Sequence, residues 1–145
     1  MLVLSPWRGC KRSDCAKRIS TPNAPQPAGH YSQAVVYGGV VYVAGMLGID
    51  PENPDADPGD VAQQTRQALA NVEAVLEAAG SDLGCVVRMM IYVSGHGLWG
   101  EVNRVYAEVM GEHRPSRAIV PVQSFREPFV IEIVATAALG GQTLG

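Results

Sequence analysis

The last apolar segment of the chain, residues 130–138, restricts the possible fold more than any other feature. It is short, rich in β-branched and small residues, and lies between Pro128 and Gly140, which is typical of a buried β-strand. Alternate side chains of a strand point to opposite faces, and both faces of this one are mainly apolar. Both faces must therefore be covered, one by helices and the other by a further surface.

Two charged residues lie inside apolar strand segments near the end of the chain. Arg117 lies within residues 115–120, and Glu132 lies within the last strand. A lone charge in an apolar interior costs several kcal/mol, so each charge needs a partner, a ligand or a water-lined cavity. Arg117 offers planar donors that suit a carboxylate, and Glu132 offers an acceptor that can orient or deprotonate a water. Two interpretations are open at this point: a structural ion pair between strands, or a functional site.

The pattern of apolar residues, prolines and glycines predicts an α+β fold. Two helices would cover one side of a mixed sheet, and the uncovered apolar face of the last strand predicts a homo-oligomer. The predicted elements are, in order, an edge strand at 19–21, strands at 34–37 and 40–44 joined across Gly38 and Gly39, a helix at 60–79, a strand at 85–93, a helix ending near Gly111, and the strands that hold Arg117 and Glu132.

The length of 145 residues predicts one domain, because a chain of this size forms a single hydrophobic core. We assign residues 1–18 to a disordered basic leader, 19–140 to the domain and 141–145 to a flexible tail. No apolar stretch approaches the roughly 20 residues that cross a bilayer, so we expect a cytoplasmic protein without a membrane partner. The three histidines have no recognised metal-ligand spacing, so we expect no bound metal.

The charge distribution argues against a nucleic-acid partner. Residues 1–18 hold five Lys or Arg and one Asp, which leaves a balance of −7 for the rest of a chain whose formal net charge is −3. A nucleic-acid-binding domain normally presents a basic patch or stripe. The predicted domain has the opposite balance, so we expect no nucleic acid to bind it.

Six short segments are informative as an ordered set. They are 29–34 (GHYSQA), 44–50 (AGMLGID), 71–80 (NVEAVLEAAG), 102–106 (VNRVY), 114–117 (RPSR) and 131–133 (IEI). Together they resemble the YjgF/RidA family of imine deaminases, over about residues 19–139. The resemblance implies a chorismate-mutase-like α+β domain that assembles as a homotrimer with ligand pockets between subunits.

The resemblance also implies a reaction and a set of site residues. The reaction is the hydrolysis of reactive 2-imino or enamino acids to 2-oxo acids and ammonia, without a cofactor. Arg117 matches the family's carboxylate-binding arginine and Glu132 its water-orienting glutamate, so both are candidate catalytic residues. Tyr31 and Asn103 match further positions of the substrate pocket.

Four residues depart from the family pattern around the predicted pocket. Ala44 stands where a serine is frequent, Met46 where a glutamine is usual, and Ile119 where a cysteine is frequent. His30 replaces the usual proline before Tyr31. Ala44 and Ile119 remain candidate substrate-binding positions through their place in the motifs. The apolar replacements predict a preference for imino acids with apolar side chains.

Two other functions stay open on the sequence alone. A trimer that binds a carboxylate metabolite through Arg117 without turning it over would carry the same residues. An endoribonuclease or translation inhibitor is the third function, because the family has also carried that label. The acidic domain argues against this last function.

Overall fold

Seven strands form one mixed sheet in the computed structural model, which describes residues 16–140. The strands are β1 (Lys17–Ile19), β2 (Ala34–Tyr37), β3 (Val40–Val43), β4 (Met46–Leu47), β5 (Val86–Val93), β6 (Ser116–Pro121) and β7 (Ile131–Ala138). Their spatial order is β1-β2-β3-β7-β5-β6, and β4 pairs with the other end of the β7 edge that β3 occupies. β5 and β6 are parallel, while the remaining pairs among the described strands are antiparallel.

Two helices, α1 (Val61–Ala78) and α2 (Trp99–Met110), pack on one face of this sheet. α1 begins with a capping box, in which the side chains of Asp60 and Gln63 each accept a hydrogen bond from the other residue's main-chain amide. Gly80 and Gly111 follow the helices with φ of 82° and 57°, a backbone conformation that favours glycine. The predicted α+β fold, with both helices on one side of a mixed sheet, is confirmed.

The predicted hairpin is present between β2 and β3. Gly38 and Gly39 have φ of 59° and 76°, which fits the two-residue type I′ turn that suits the twist of paired strands. The register pairs Tyr37 with Val40 next to this turn.

The first strand differs from the prediction, because it spans Lys17–Ile19 instead of residues 19–21. Lys17 and Arg18 therefore belong to the sheet and not to the basic leader. They pair with β2 through main-chain groups, which bond regardless of side-chain charge, and both side chains are exposed at the sheet edge. The predicted disorder of the leader and tail concerns residues 1–15 and 141–145, which lie outside the described residues.

Strand β4 is absent from the sequence-based prediction, because two residues between Gly45 and Gly48 carry no strand pattern. Tertiary packing explains the strand. A Cβ atom at Gly48 would lie 2.7 Å from the carbonyl oxygen of Gln64, so glycine lets this segment approach α1 closely. β4 then continues the edge of β7 beyond β3.

Burial alternates along β7. The side chains buried beneath the helices are Ile131, Ile133, Ala135 and Ala137. The side chains that are half-buried on the opposite face are Glu132, Val134, Thr136 and Ala138. Neighbouring strands continue this division, because paired residues share a face of the sheet.

The face of the sheet opposite the helices carries apolar and aromatic side chains without a cover among residues 16–140. Tyr37 and Tyr42 are 59% and 50% exposed there. Met90 lies opposite Val134 nearer the centre of the same face, and both are half-buried. We refer to this surface, formed by alternate residues of β2, β3 and β5–β7, as the open face.

Two features are absent from the part of the chain that the structure describes. Neither of its α-helices is long and apolar enough to cross a membrane. No group of three or more His, Cys, Asp or Glu side chains among the same residues could hold a metal ion.

Three buried amide side chains fasten loops to the sheet and to α1. They are Gln33, which bonds the main chain at residues 21–25, Gln64, which bonds residues 59, 128 and 130, and Asn71, which bonds residues 47 and 49. Each is no more than 2% exposed. An amide offers two donors and an acceptor, so one side chain satisfies several main-chain groups that water cannot reach.

Asn71→Leu is expected to lower the free energy of unfolding by about 2 kcal/mol, because the carbonyls of Leu47 and Ile49 lose their 2.9 Å partners. Denaturant-induced unfolding measures this value. Gln67→Leu is the control, since Gln67 donates only to the Asn71 side chain, and it should cost no more than about 1 kcal/mol. Equal, small losses in both variants would contradict this account.

Candidate functional site

Arg117 is held against α2. Its Nη2 donates a hydrogen bond to Asn103 Oδ1 at 2.9 Å, and its Cζ lies 4.7 Å from the centroid of the Tyr106 ring. The stacked ring and the amide oxygen orient the guanidinium without neutralising it. The structure therefore brings the candidate residues Arg117 and Asn103 together, and Asn103 is half-buried.

A cavity of about 430 Å³ opens beside Arg117, between the end of α2 and the start of β6. Its lining includes Tyr106, His113 and Arg114. Burial raises the pKa of the Tyr106 hydroxyl, and the neighbouring Arg117 charge offsets part of this rise. The hydroxyl is therefore protonated at neutral pH. It has no hydrogen-bond partner among the described residues.

Glu132 faces a different cavity, of about 270 Å³, on the open face. Tyr31 lines the same cavity, so the structure also brings the candidate residues Glu132 and Tyr31 together. The Tyr31 ring is half exposed, and its hydroxyl accepts a hydrogen bond from the Ala28 amide at 3.2 Å. The rest of the lining comes from Pro25, Gln26, Ala28, Gly45, Met46, Leu47, Ile49 and Arg126.

The absence of a side chain at Gly45 leaves the space that the Glu132 carboxylate occupies. A Cβ atom at this position would lie 2.3 Å from Glu132 Oε1 and 2.8 Å from its Cδ. Both distances are far inside van der Waals contact, so any larger residue would displace the carboxylate. Gly45 is thus a positioning residue for Glu132.

Arg117 and Glu132 lie on opposite faces of the sheet. Arg117 pairs in register with Met89, which is buried beneath the helices, whereas Glu132 pairs with Tyr92 on the open face. The two residues are also two strands apart, which is about 10 Å across the sheet. The sequence-based alternative of an ion pair that joins their strands is therefore wrong within one chain, and one subunit alone does not present both groups to one small ligand.

The remaining predicted positions have mixed outcomes. Met46 lines the Glu132 cavity, and Ala44 lies beside Gly45 but is not among the lining residues. Ile119 follows Arg117 on the helix side of β6, packs against the core, and lines neither cavity. His30 is exposed next to Tyr31 and lines a separate shallow cavity with it.

Three residues of these sites were not singled out by the sequence. Tyr106 lies three residues after Asn103, and this spacing places both on one helix face, so it carried a usable signal. Gly45 lies within a motif, but its close contact with Glu132 depends on the pairing of β4 with β7. Arg126 lies in an irregular loop, where no periodic pattern indicates which way a side chain points.

Comparison with known sequences supports a common origin for almost all of the described chain. The sequence model of the family described as endoribonuclease L-PSP matches residues 21–139. A RutC family protein from Pyrococcus horikoshii is 42% identical over 119 residues, which cover 82% of this chain and 94% of that protein. The rat 2-iminobutanoate/2-iminopropanoate deaminase is 38% identical over 124 residues, which cover 86% of this chain and 90% of the rat protein.

Solved structures show the same fold. Escherichia coli TdcF, in a crystal structure with bound serine, superposes with a TM-score of 0.80 at 32% sequence identity. The superposition covers 84% of this chain and 98% of TdcF. The bound serine belongs to TdcF.

Gly45→Ala is expected to lower the free energy of unfolding by about 1 kcal/mol, because the new methyl group displaces the Glu132 carboxylate. The same substitution in a Glu132→Ala background should cost almost nothing, since the colliding atoms are gone. Denaturant unfolding of the four proteins gives the coupling energy by a double-mutant cycle. An equal cost in both backgrounds would show that Gly45 serves the backbone and not Glu132.

Proposed function

Because the chain belongs to the endoribonuclease L-PSP family, which includes the YjgF/RidA proteins, we propose that it is a deaminase that hydrolyses reactive 2-imino or enamino acids to 2-oxo acids and ammonia. The single observation that carries this proposal is the orientation of Arg117 by Asn103 and Tyr106, which prepares a carboxylate receptor. Mammalian relatives that bear the deaminase name are 36–38% identical to this chain over the aligned residues.

Arg117 would bind the carboxylate that every 2-imino acid carries. One N–H of the guanidinium is committed to Asn103, and the remaining donors can bind two carboxylate oxygens in parallel. The face of the guanidinium rests on Tyr106, which limits its rotation. A fixed carboxylate places the neighbouring imine carbon at a constant distance from the arginine, and this positioning lowers the entropic part of the barrier.

Glu132 would orient the attacking water and accept its proton. Its carboxylate accepts a proton from the water as the oxygen attacks the imine carbon, and the C=N bond becomes a C–N bond in a tetrahedral carbinolamine. This proton passes to the imine nitrogen, which completes the carbinolamine with one hydroxyl and one amino group. The hydroxyl proton then passes to the amino group through Glu132, the C–N bond breaks, ammonia leaves and the oxygen becomes the 2-oxo group. An accessible imine already reacts with water, so a thousandfold gain, about 4 kcal/mol, would suffice, and no cofactor is required for it.

A second subunit would bring Arg117 and Glu132 to the same substrate. Within one chain the two residues occupy opposite faces, and none of residues 16–140 covers Tyr37, Tyr42 and Val134 on the open face. We propose a homotrimer that buries this face and sets the Arg117 cavity of one subunit beside the Glu132 cavity of its neighbour. The substrate would bind between the two subunits.

Val134→Asp is expected to break the trimer, because it places a charge in the centre of the face that the proposed assembly buries. Light scattering should give three chain masses for the unmodified protein and one for the variant. Ala70→Asp is the matched control, since Ala70 is exposed on α1, on the other side of the molecule, and this variant should remain trimeric. A stable monomer of the unmodified chain would remove the proposed shared site.

Arg117→Lys and Glu132→Gln are each expected to lose most deaminase activity, for different reasons. Lysine keeps the charge but lacks the planar fork, so KM should rise. Glutamine cannot accept the proton, so kcat should fall while 2-oxo acid binding persists. The measurement couples an amino-acid oxidase, which generates the imine, to detection of the 2-oxo acid and ammonia. Full activity in both folded variants would make the two residues structural.

Mixing the two inactive variants tests whether the site is shared. A site assembled from the intact Glu132 of one variant and the intact Arg117 of the other should work, so trimers refolded from equal amounts should regain about a quarter of the unmodified activity. A mixture that stays inactive would place both residues in sites within single subunits. Each variant refolded alone is the control, and its activity should stay low.

A further inference from the structure

Arg126 is the arginine in the lining of the cavity that Glu132 faces. It lines this cavity together with Glu132 and Tyr31, and it also lines two adjoining cavities of the loop surface. Its Cζ lies 5.6 Å from the centroid of the Phe129 ring, and Phe129 is buried. Arg126 is exposed, and stacking on the buried Phe129 ring restricts the orientations of its guanidinium.

The Arg126 charge is available to a ligand. Among the described residues it forms no ion pair within 4.0 Å, and in particular it is not paired with Glu132, although both line one cavity. By contrast, Arg66 and Arg104 on the helices are paired with Glu108 and Glu101. The Glu132 cavity therefore holds one acidic and one basic group that do not satisfy each other.

The apolar wall of this cavity includes Leu47 and Ile49, which are half-buried and favour a guest with a short hydrocarbon stem. The cavity volume of about 270 Å³ equals the space of about nine waters in the liquid, which is enough for a five-carbon acid. A ligand with an aliphatic stem that ends in a negative charge matches both the wall and Arg126.

We infer that Arg126 is a specificity-determining residue that binds the side-chain carboxylate of the substrate, so that the protein favours 2-imino dicarboxylic acids of the length derived from glutamate. This inference rests on the proposed deaminase function and extends it to a substrate class. Arg117 would hold the carboxylate next to the imine, and Arg126 would hold the one at the far end of the stem. The apolar replacements Ala44, Met46 and Ile119, taken alone, would favour a neutral side chain, and Arg126 reverses that preference.

Binding of two product-like acids to the full chain tests this inference without reference to turnover. The probes are 2-oxoglutarate and 2-oxo-5-methylhexanoate, in which an isopropyl group of similar shape replaces the far carboxylate. Calorimetry should show that the unmodified protein binds 2-oxoglutarate about five- to tenfold more tightly. Arg126→Gln should abolish this difference. It should leave the affinity for 2-oxo-5-methylhexanoate, whose side chain is uncharged, unchanged. Equal binding of both probes to the unmodified protein would overturn the inference, as would a preference that survives in Arg126→Gln.

Arg66→Gln is the matched control, because it removes the same charge from an exposed ion pair on the helix side of the molecule. It should keep the preference for 2-oxoglutarate, and a loss of preference in this variant would show that net charge alone attracts the diacid. Turnover of imines generated from glutamate and from leucine completes the test. Selective binding without turnover would reject the deaminase function and retain the role of Arg126 in binding. Turnover that favours the leucine imine in both the unmodified protein and Arg126→Gln would retain the deaminase function and reject the role of Arg126.

Discussion

The alternation of side chains along β7 is the constraint on which both the fold and the candidate site depend. β7 is paired along both edges, with β3 and β4 on one side and β5 on the other, so a shift of its register by one residue would break three sets of pairings. Such a shift would also bury Glu132 beneath the helices and expose Ile131 and Ile133. The same ladder continues through β5 to β6, where it sets Arg117 on the helix side. One strand thus decides on which face each catalytic candidate lies.

Loops form most of the Glu132 cavity, and buried amides make these loops part of the rigid core. Gln33 bonds the segment that includes Pro25, Asn71 bonds the carbonyls on either side of Gly48, and Gln64 bonds the chain beside Phe129. Each amide is itself buried, so its hydrogen bonds do not compete with water. A cavity whose walls are fixed in this way loses little entropy when a ligand binds.

Local signals in the sequence were sufficient for most of the fold but not for the relation between its parts. The helical spacing of apolar residues in α1 and the glycine pair of the β2–β3 hairpin act within a few residues, so they predicted these elements closely. The face that Arg117 occupies depends on the register between β5 and β6, strands that α2 separates in the chain, and no local pattern encodes that register. For the same reason the sequence indicated that Arg117 and Glu132 both matter without indicating that the sheet lies between them. Arg126 was missed because its loop has no periodicity from which its direction could be read.

The separation of Arg117 from Glu132 preserves the chemistry that each group offers. An arginine and a glutamate within reach of each other form a two-pronged ion pair, which would occupy the donors that a substrate carboxylate needs and the oxygens that a water needs. In this chain, neutral groups do the orienting: the Asn103 oxygen and the Tyr106 ring hold Arg117, and the bare backbone of Gly45 receives Glu132. Neither charge therefore forms an ion pair with any other of residues 16–140. A sheet that holds two reactive charges on opposite faces keeps them from neutralising each other, and contact between subunits is then the physical event that can bring them to one ligand.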